Sequence, residues 1–391
     1  MLTTTFDLLW LPVLLIMFWI LGTIIAKSLG LPEKLASGLY WWHTLFSIIY
    51  YWIHLIKGGD AIAYFNAGRY PDWNFNVGTE FVRYISGILV SILGMGFFTT
   101  FIVFGFLGYL GLLLFAYVLL FHLPDNGVTD RNRKWVYIIL FLPSLSFWSS
   151  ALGKDSVALF ACCLGIFAAA DIAGRKGTFM IAVFIMYAVR PHVAVCMLVG
   201  IIAAMMMSSN INLFVRIFVL SVMGGAIVLL LPYVIHYVGL EAKFTGGEVA
   251  DRVSMMHGFA YSGGSGGLDI STMSWPMRLF SYLFRPLFLD ARNGEQLVTS
   301  FENMLLLFLF IRFSRVLVKV LFFKNILLLR YAFIYSVMAL VILGNTNYNL
   351  GIAVRQKTMF LPALFVLLVY AIYAFDGWVA SDDSAYRVVD E

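Results

Sequence analysis

An all-α polytopic membrane helical bundle is the fold class this sequence predicts, and three observations predict it. Of the 391 residues, 62% are hydrophobic and only 12% are charged, whereas soluble domains carry about 25% charged residues. Mean hydropathy is +0.90. Apolar runs of roughly 17 to 25 residues recur along the chain, the length a helix needs to cross a bilayer. In hydrocarbon the backbone must satisfy its own hydrogen bonds, so these runs are expected as helices. The 17% aromatic content and the scattered Gly and Pro fit the same class. Residues 1–391 are read as one integral membrane domain of about eleven transmembrane helices with a large extracytoplasmic loop.

The first run, DLLWLPVLLIMFWILGTIIAK, is too long for a signal-peptide core. It also lacks a basic leader and a small-residue cleavage site, so it is expected to stay as a membrane anchor. With it at about 7–27, further spans are expected near 38–56, 96–121, 135–150, 156–172, 177–189, 192–208, 213–239, 302–323, 326–344 and 358–378. Residues 80–95 read either as an interfacial helix or as the start of the third span. The stretch from Thr178 to Met207 is ambiguous: one long helix kinked at Pro191, or a hairpin turning at Arg190-Pro191. Proline suits the first turn of a new helix, and the residue before it avoids helical geometry. A single kinked helix would carry the basic turn at 312–330 to the outside, so the charge bias favours the hairpin.

Orientation follows from where Lys and Arg gather between spans. One side holds compact basic turns such as DRNRK and AGRKG, and is assigned to the cytoplasm. The other side receives KGGDAIAYFNAGRYPDWNFNVGTE, FWSSALGKDS, AVRPHVAV, NTNYNLGIAVRQK and the long segment 241–300. That segment is expected as an extracytoplasmic loop with an interfacial helix; its GGSGG at 263–267 lacks the GK[ST] of a phosphate loop and reads as a flexible outer stretch. The three cysteines, Cys162, Cys163 and Cys196, lie in apolar runs and read as packing residues rather than a disulfide or metal site. The net charge of +5 comes without zinc ligands or a soluble basic domain, so no nucleic acid is expected as a partner.

A charge at membrane depth is costly unless it is paired or faces water, so each one is a candidate for function. The competing reading is a long Lys or Arg side chain snorkelling to the headgroups. In FWSSALGKDS, Lys154 beside a helix N-terminus makes an anion site, or else Asp155 caps the helix and Lys154 anchors it. In AVRPHVAV, Arg190 can grip a phosphate with two parallel bonds, and His192 can donate to the same group or relay a proton. Arg355, Gln356 and Lys357 form a third polar cluster before the last span. Arg278 and Arg285 lie on an aromatic-rich amphipathic stretch, where interfacial anchoring competes with catalysis. Against these cations stand Asp60, after two glycines, with Tyr64 one turn on, and Glu80 as the alternative. Either carboxylate can act as general base on an acceptor hydroxyl; the bland reading of Asp60 is a loop residue capping a short helix.

No paired DxD or DxE motif stands on the outer side, so a metal-dependent mechanism is disfavoured, and neither a Ser-His-Asp pattern nor a cofactor motif stands out. Several cations and one or two carboxylates around an outer-facing cavity suit a lipid-anchored pyrophosphate: the cations stabilise the departing phosphate and a carboxylate activates a nucleophile.

Five stretches, GGDAIAYF, FWSSALGKDS, VRPH, LFRPLFLDARNGEQLVTSFEN and NLGIAVRQKTMFLP, together resemble the Wzy-type oligosaccharide-repeat-unit polymerases, within the broader GT-C-like membrane glycosyltransferases. The resemblance implies a bacterial inner-membrane enzyme with an extracytoplasmic active face, metal-independent, acting on polyprenyl-pyrophosphate-linked oligosaccharides, with a chain-length regulator protein as a partner. It implies pyrophosphate binding by Arg190, Arg355 and Arg285. Asp60 is the residue expected to activate the acceptor. A GT-C transferase moving one sugar from undecaprenyl phosphate is the nearest alternative. A transporter or flippase of an anionic lipid-linked substrate is the alternative of another class, though no internal repeat of the kind common in transporters is visible.

Overall fold

A computed structural model describes residues 5–123, 129–207, 273–291, 293–323, 326–346 and 349–387, with four isolated positions between 208 and 272. The expected span 213–239, apart from those positions, and the outer segment from 241 to 272 with its GGSGG lie outside the described residues. The chain is helical, with no β-strand among the described residues. In order, α1 is Thr5–Ser28, α2 Glu33–Lys57, α3 Asp60–Arg69, α4 Thr79–Gly87, α5 Phe97–Tyr117, α6 Asp130–Leu140 and α7 Pro143–Ser149. Next come α8 Lys154–Ala170, α9 Lys176–Val189, α10 Pro191–Met206, α11 Trp275–Phe284, α12 Gly294–Phe323, α13 Leu327–Thr346, α14 Leu350–Lys357 and α15 Leu361–Arg387. The amphipathic stretch expected near Arg278 is thus the short helix α11.

Three of these helices are long and apolar enough to cross a membrane, or four if the bent pair α14–α15 counts as one. This is fewer than the eleven expected, for identifiable reasons. Pro143 divides the 135–150 run into α6 and α7, and α9 and α10 are short apolar helices. α2 carries His43, Thr44, Ser47 and His54 among its buried residues. α12 carries Glu302, Arg312, Arg315 and Lys319. The segments are still built for an apolar solvent, because large hydrophobic side chains point outward. Leu9, Val13, Ile16, Ile20 and Ile24 of α1 are exposed, as are Phe301, Phe308 and Ile311 of α12. Polar residues such as His43, Ser47, Asp155 and Asn303 are buried instead. Exposed apolar area of this extent marks a membrane or partner surface.

α5 packs closely on α8, α8 on α9, and α10 on α13. Where hydrophobic surface on both sides of a contact is equally content in lipid, helices associate through close backbone approach at small residues. Gly105 and Gly108 of α5 face the Ser150 and Ser149 carbonyls, and Gly111 faces the backbone of Phe160 on α8. Ala182 of α9 and Met197 of α10 both lie beside Gly165 of α8. Residues on either side of the Arg190-Pro191 step therefore meet the same point, and α9–α10 is the hairpin the charge bias favoured. The three cysteines are buried and free.

The polar segments and the basic turns lie at opposite ends of these helices. Asp155 starts α8, while beyond its other end Arg175 donates to the Phe167 carbonyl and covers the Phe167 ring. Arg190 precedes α10, while past its other end the Met207 carbonyl accepts from Arg330.

Candidate functional site

Four segments far apart in sequence deliver charged side chains to one end of the bundle. Gly58 and Gly59 have φ of +74° and +142°, a turn that residues with a Cβ rarely adopt. This turn ends α2 and begins α3 with Asp60 in its first turn. Gly153 precedes α8, and the Tyr64 ring and the Arg355 guanidinium lie beside it. Pro191 opens α10 and leaves Arg190 at the turn between the hairpin helices. Asn349 caps α14, its side chain accepting from the Gly351 amide at 2.8 Å and from that of Ile352. This short helix carries Arg355.

The side chains form a continuous chain of ion pairs. Arg355 Nη1 donates to Asp60 Oδ2 at 2.9 Å, and its Nε donates to Asp155. The other oxygen of Asp155 accepts from Arg190 Nη2 at 3.5 Å. Side-chain exposure falls from 60% for Asp60 through 24% for Arg355 to 5% for Asp155, and is 15% for Arg190. Lys154 stands within electrostatic reach of all four, and so does Tyr64. His192, half-buried in the first turn of α10, lies in the field of Arg190 and Lys154. Tyr50 of α2 sits within reach of Arg355.

Three cations thus share two carboxylates, leaving an excess of positive charge around a buried aspartate. Arg190 also keeps a buried Nε donor without a hydrogen-bond partner among the described residues. A buried charge in this setting is stable only if its hydrogen bonds are completed. An anion accepting from Arg190 and Lys154 would complete the set, with Asp60 exposed enough to reach a second reactant.

The sequence-derived candidates fall into two groups. Asp60, Tyr64, Lys154, Arg190, His192 and Arg355 come together; Gln356 is half-buried on the same short helix as Arg355. Glu80 stands apart, paired with Arg83 on its own helix at 2.7 Å. Arg285 is held by Asp290 within its own loop, its Nε donating at 2.9 Å. The guanidinium holds the Asp290 carboxyl below the usual carboxylate range. Lys357 is 3% exposed and turned inward, donating to the Leu283 carbonyl at 3.0 Å and to Asn303 Oδ1 at 2.8 Å. Glu302, beside it, accepts from the amide and hydroxyl of Ser144. This second polar network ties α14, the helix that carries Arg355, to α7, α11 and α12.

Asp155 is the member that sequence reasoning passed over as a helix cap. Gly153 occupies the cap position, and no side chain caps α8; Asp155 instead turns to two arginines. A carboxylate opening an apolar run carries the same signal as the lysine before it. Tyr50 has no comparable signal within its apolar, aromatic helix. Among the described residues no three His, Cys, Asp or Glu side chains gather as a metal nest. Comparison of the chain with protein-family models, with curated proteins and with solved structures finds no match.

Proposed function

We propose that the chain is a membrane glycosyltransferase that joins oligosaccharides carried on polyprenyl pyrophosphate, at the extracytoplasmic face of a bacterial inner membrane. The observation that supports it most is the Asp60–Arg355–Asp155–Arg190 chain with Lys154 beside it, at the end of the bundle that bears the irregular polar segments. The topology of about eleven crossings belongs to the same proposal, with α6–α7, the α9–α10 hairpin and the bent α14–α15 pair as membrane-embedded segments.

In this reading Asp60 takes the proton of an acceptor hydroxyl. The oxygen attacks the anomeric carbon of the donor sugar, and the bond from that carbon to the pyrophosphate oxygen breaks with its electron pair on the leaving group. Arg190, Lys154 and Arg355 receive the developing negative charge, which costs least when donors are fixed in place before the reaction. Asp155 touches no reactant; it positions the two arginines.

The test is the profile of lipid-linked and surface glycans in cells lacking the gene. Accumulation of one complete repeat unit with loss of long chains is expected. An incomplete repeat missing one sugar reassigns the reaction to single-sugar transfer. An unchanged profile removes both readings and favours transport of an anionic lipid-linked substrate.

A further inference from the structure

Beside the ion-pair chain, α2, α7, α12 and α14 enclose a cavity of about 470 Å³, within the ~300–1,000 Å³ range of small-ligand sites. Its walls are mostly apolar: Ile49 and Ile53 of α2, Phe147 and Trp148 of α7, Val298 of α12 and Val354 of α14. Two relationships join it to the cation site. Val354 precedes Arg355 on the same helix, and Phe147 stacks on Tyr50 with centroids 4.3 Å apart, Tyr50 lying within reach of Arg355.

The cavity opens sideways. Ile49 and Val298, on facing helices, are 39% and 45% exposed and continue into the outward apolar surface that carries Trp52 and Phe301. One rim is polar: Glu295 lines the cavity and pairs with Lys57 at 2.8 Å, joining the end of α2 to the start of α12. An apolar groove open to hydrocarbon, polar at one rim and bordered by excess positive charge, matches a molecule with a hydrocarbon chain and an anionic head.

We propose that this groove takes one hydrocarbon chain of an anionic lipid whose phosphate rests on Arg355, Arg190 and Lys154. The proposal rests on the pyrophosphate reading above and adds the place of lateral entry. A chain passing from bilayer to groove leaves one apolar medium for another and gains no hydrophobic transfer energy. The cations therefore supply the affinity and the groove supplies position. Filling the groove should exclude the lipid and leave binding of a tail-less anion intact.

The experiment uses the full-length protein in phosphatidylcholine nanodiscs, titrated with inorganic pyrophosphate and, separately, with a long-chain polyprenyl pyrophosphate. Wild type is expected to bind both, and Arg355→Ala to weaken both. Ile53→Trp and Val298→Trp, from facing walls, should each weaken the lipid about tenfold, as overpacking of a filled site does. Binding of inorganic pyrophosphate should stay unchanged, which also reports that the variants fold. Tryptophan variants that bind the lipid like wild type overturn the groove while the pyrophosphate reading stands. Wild type that binds inorganic pyrophosphate but not the lipid makes the cluster a free-anion site and overturns the groove. Wild type that binds neither overturns the pyrophosphate reading itself. Should one tryptophan variant lose both probes, the other decides; loss of both probes in both variants overturns a separate tail subsite.

Discussion

Arg355 Nη1 lies 2.9 Å from Asp60 Oδ2, an ion pair between residues 295 positions apart in sequence. The same guanidinium reaches Asp155 through Nε. One side chain on an eight-residue helix therefore fixes two carboxylates on two other helices.

That fork is beyond the reach of a lysine, whose ammonium is a single point charge on a flexible stem. R355K is expected to insert and fold but to lose activity by about a hundredfold, the scale on which small misplacements of reacting groups act. In vitro chain extension by the purified variant checks it; activity within a few-fold of wild type would refute a positioning role.

Asp155 separates two arginines in a buried setting. Replacing it with Asn leaves Arg190 without a carboxylate and Arg355 with Asp60 alone, and removing one partner of a buried pair costs about 3–5 kcal/mol. Thermal melting in detergent should show D155N as the least stable single variant of the cluster. A melting temperature equal to that of wild type would contradict the geometry.

Asp60 is the opposite case, with 60% of its side chain exposed. Exposed ion pairs contribute about 0–1 kcal/mol, so D60N should melt close to wild type. Loss of a general base lowers rates by about 10²–10⁴, and glycan chain length in complemented cells should collapse. Normal chains from D60N would move the base elsewhere.

The buried Lys357 donates to Asn303, whose own amide donates to the Pro286 carbonyl at 2.9 Å. K357M keeps the packing and removes the charge, leaving the Leu283 carbonyl and Asn303 Oδ1 without this donor and Glu302 without the nearby cation. It should destabilise the protein by about 1–3 kcal/mol, while the double variant K357M/E302Q recovers part of that loss. A double variant equal to the sum of its parts would show that Lys357 and Glu302 do not belong to one network.

Asp290, in the loop before α12, has a folded-state pKa held down by Arg285. Such a group contributes stability that is complete above its unfolded pKa, ~3.9, and is lost as pH falls through the lower folded value. Melting between pH 6 and pH 3 should therefore fall more steeply in wild type than in D290N. Parallel curves would exclude the pair as the cause.

The cluster was legible in the sequence to the extent that its members broke an apolar pattern. Asp60, Lys154, Arg190 and Arg355 announced themselves because charge in hydrocarbon is expensive and needs a reason. Glu80, Arg285 and Lys357 gave the same signal, yet the fold assigns them to Arg83, Asp290 and Asn303. Composition cannot tell a charge that faces a site from one that closes a loop, because both are satisfied by a partner only the fold brings near.

By itself the sequence determined the helical class, the burial of polar groups within an apolar exterior, and the separation of basic turns from irregular polar segments. These follow from local properties: backbone groups that must bond within their own segment, and charges that must stay near water. Tertiary structure alone decided that α14 meets α15 at a bend of 64° and that Asp155 bridges two arginines. Each depends on backbones approaching closely at glycines and on charges pairing across hundreds of residues. No local pattern encodes such contacts, since their energy exists only once the helices have met.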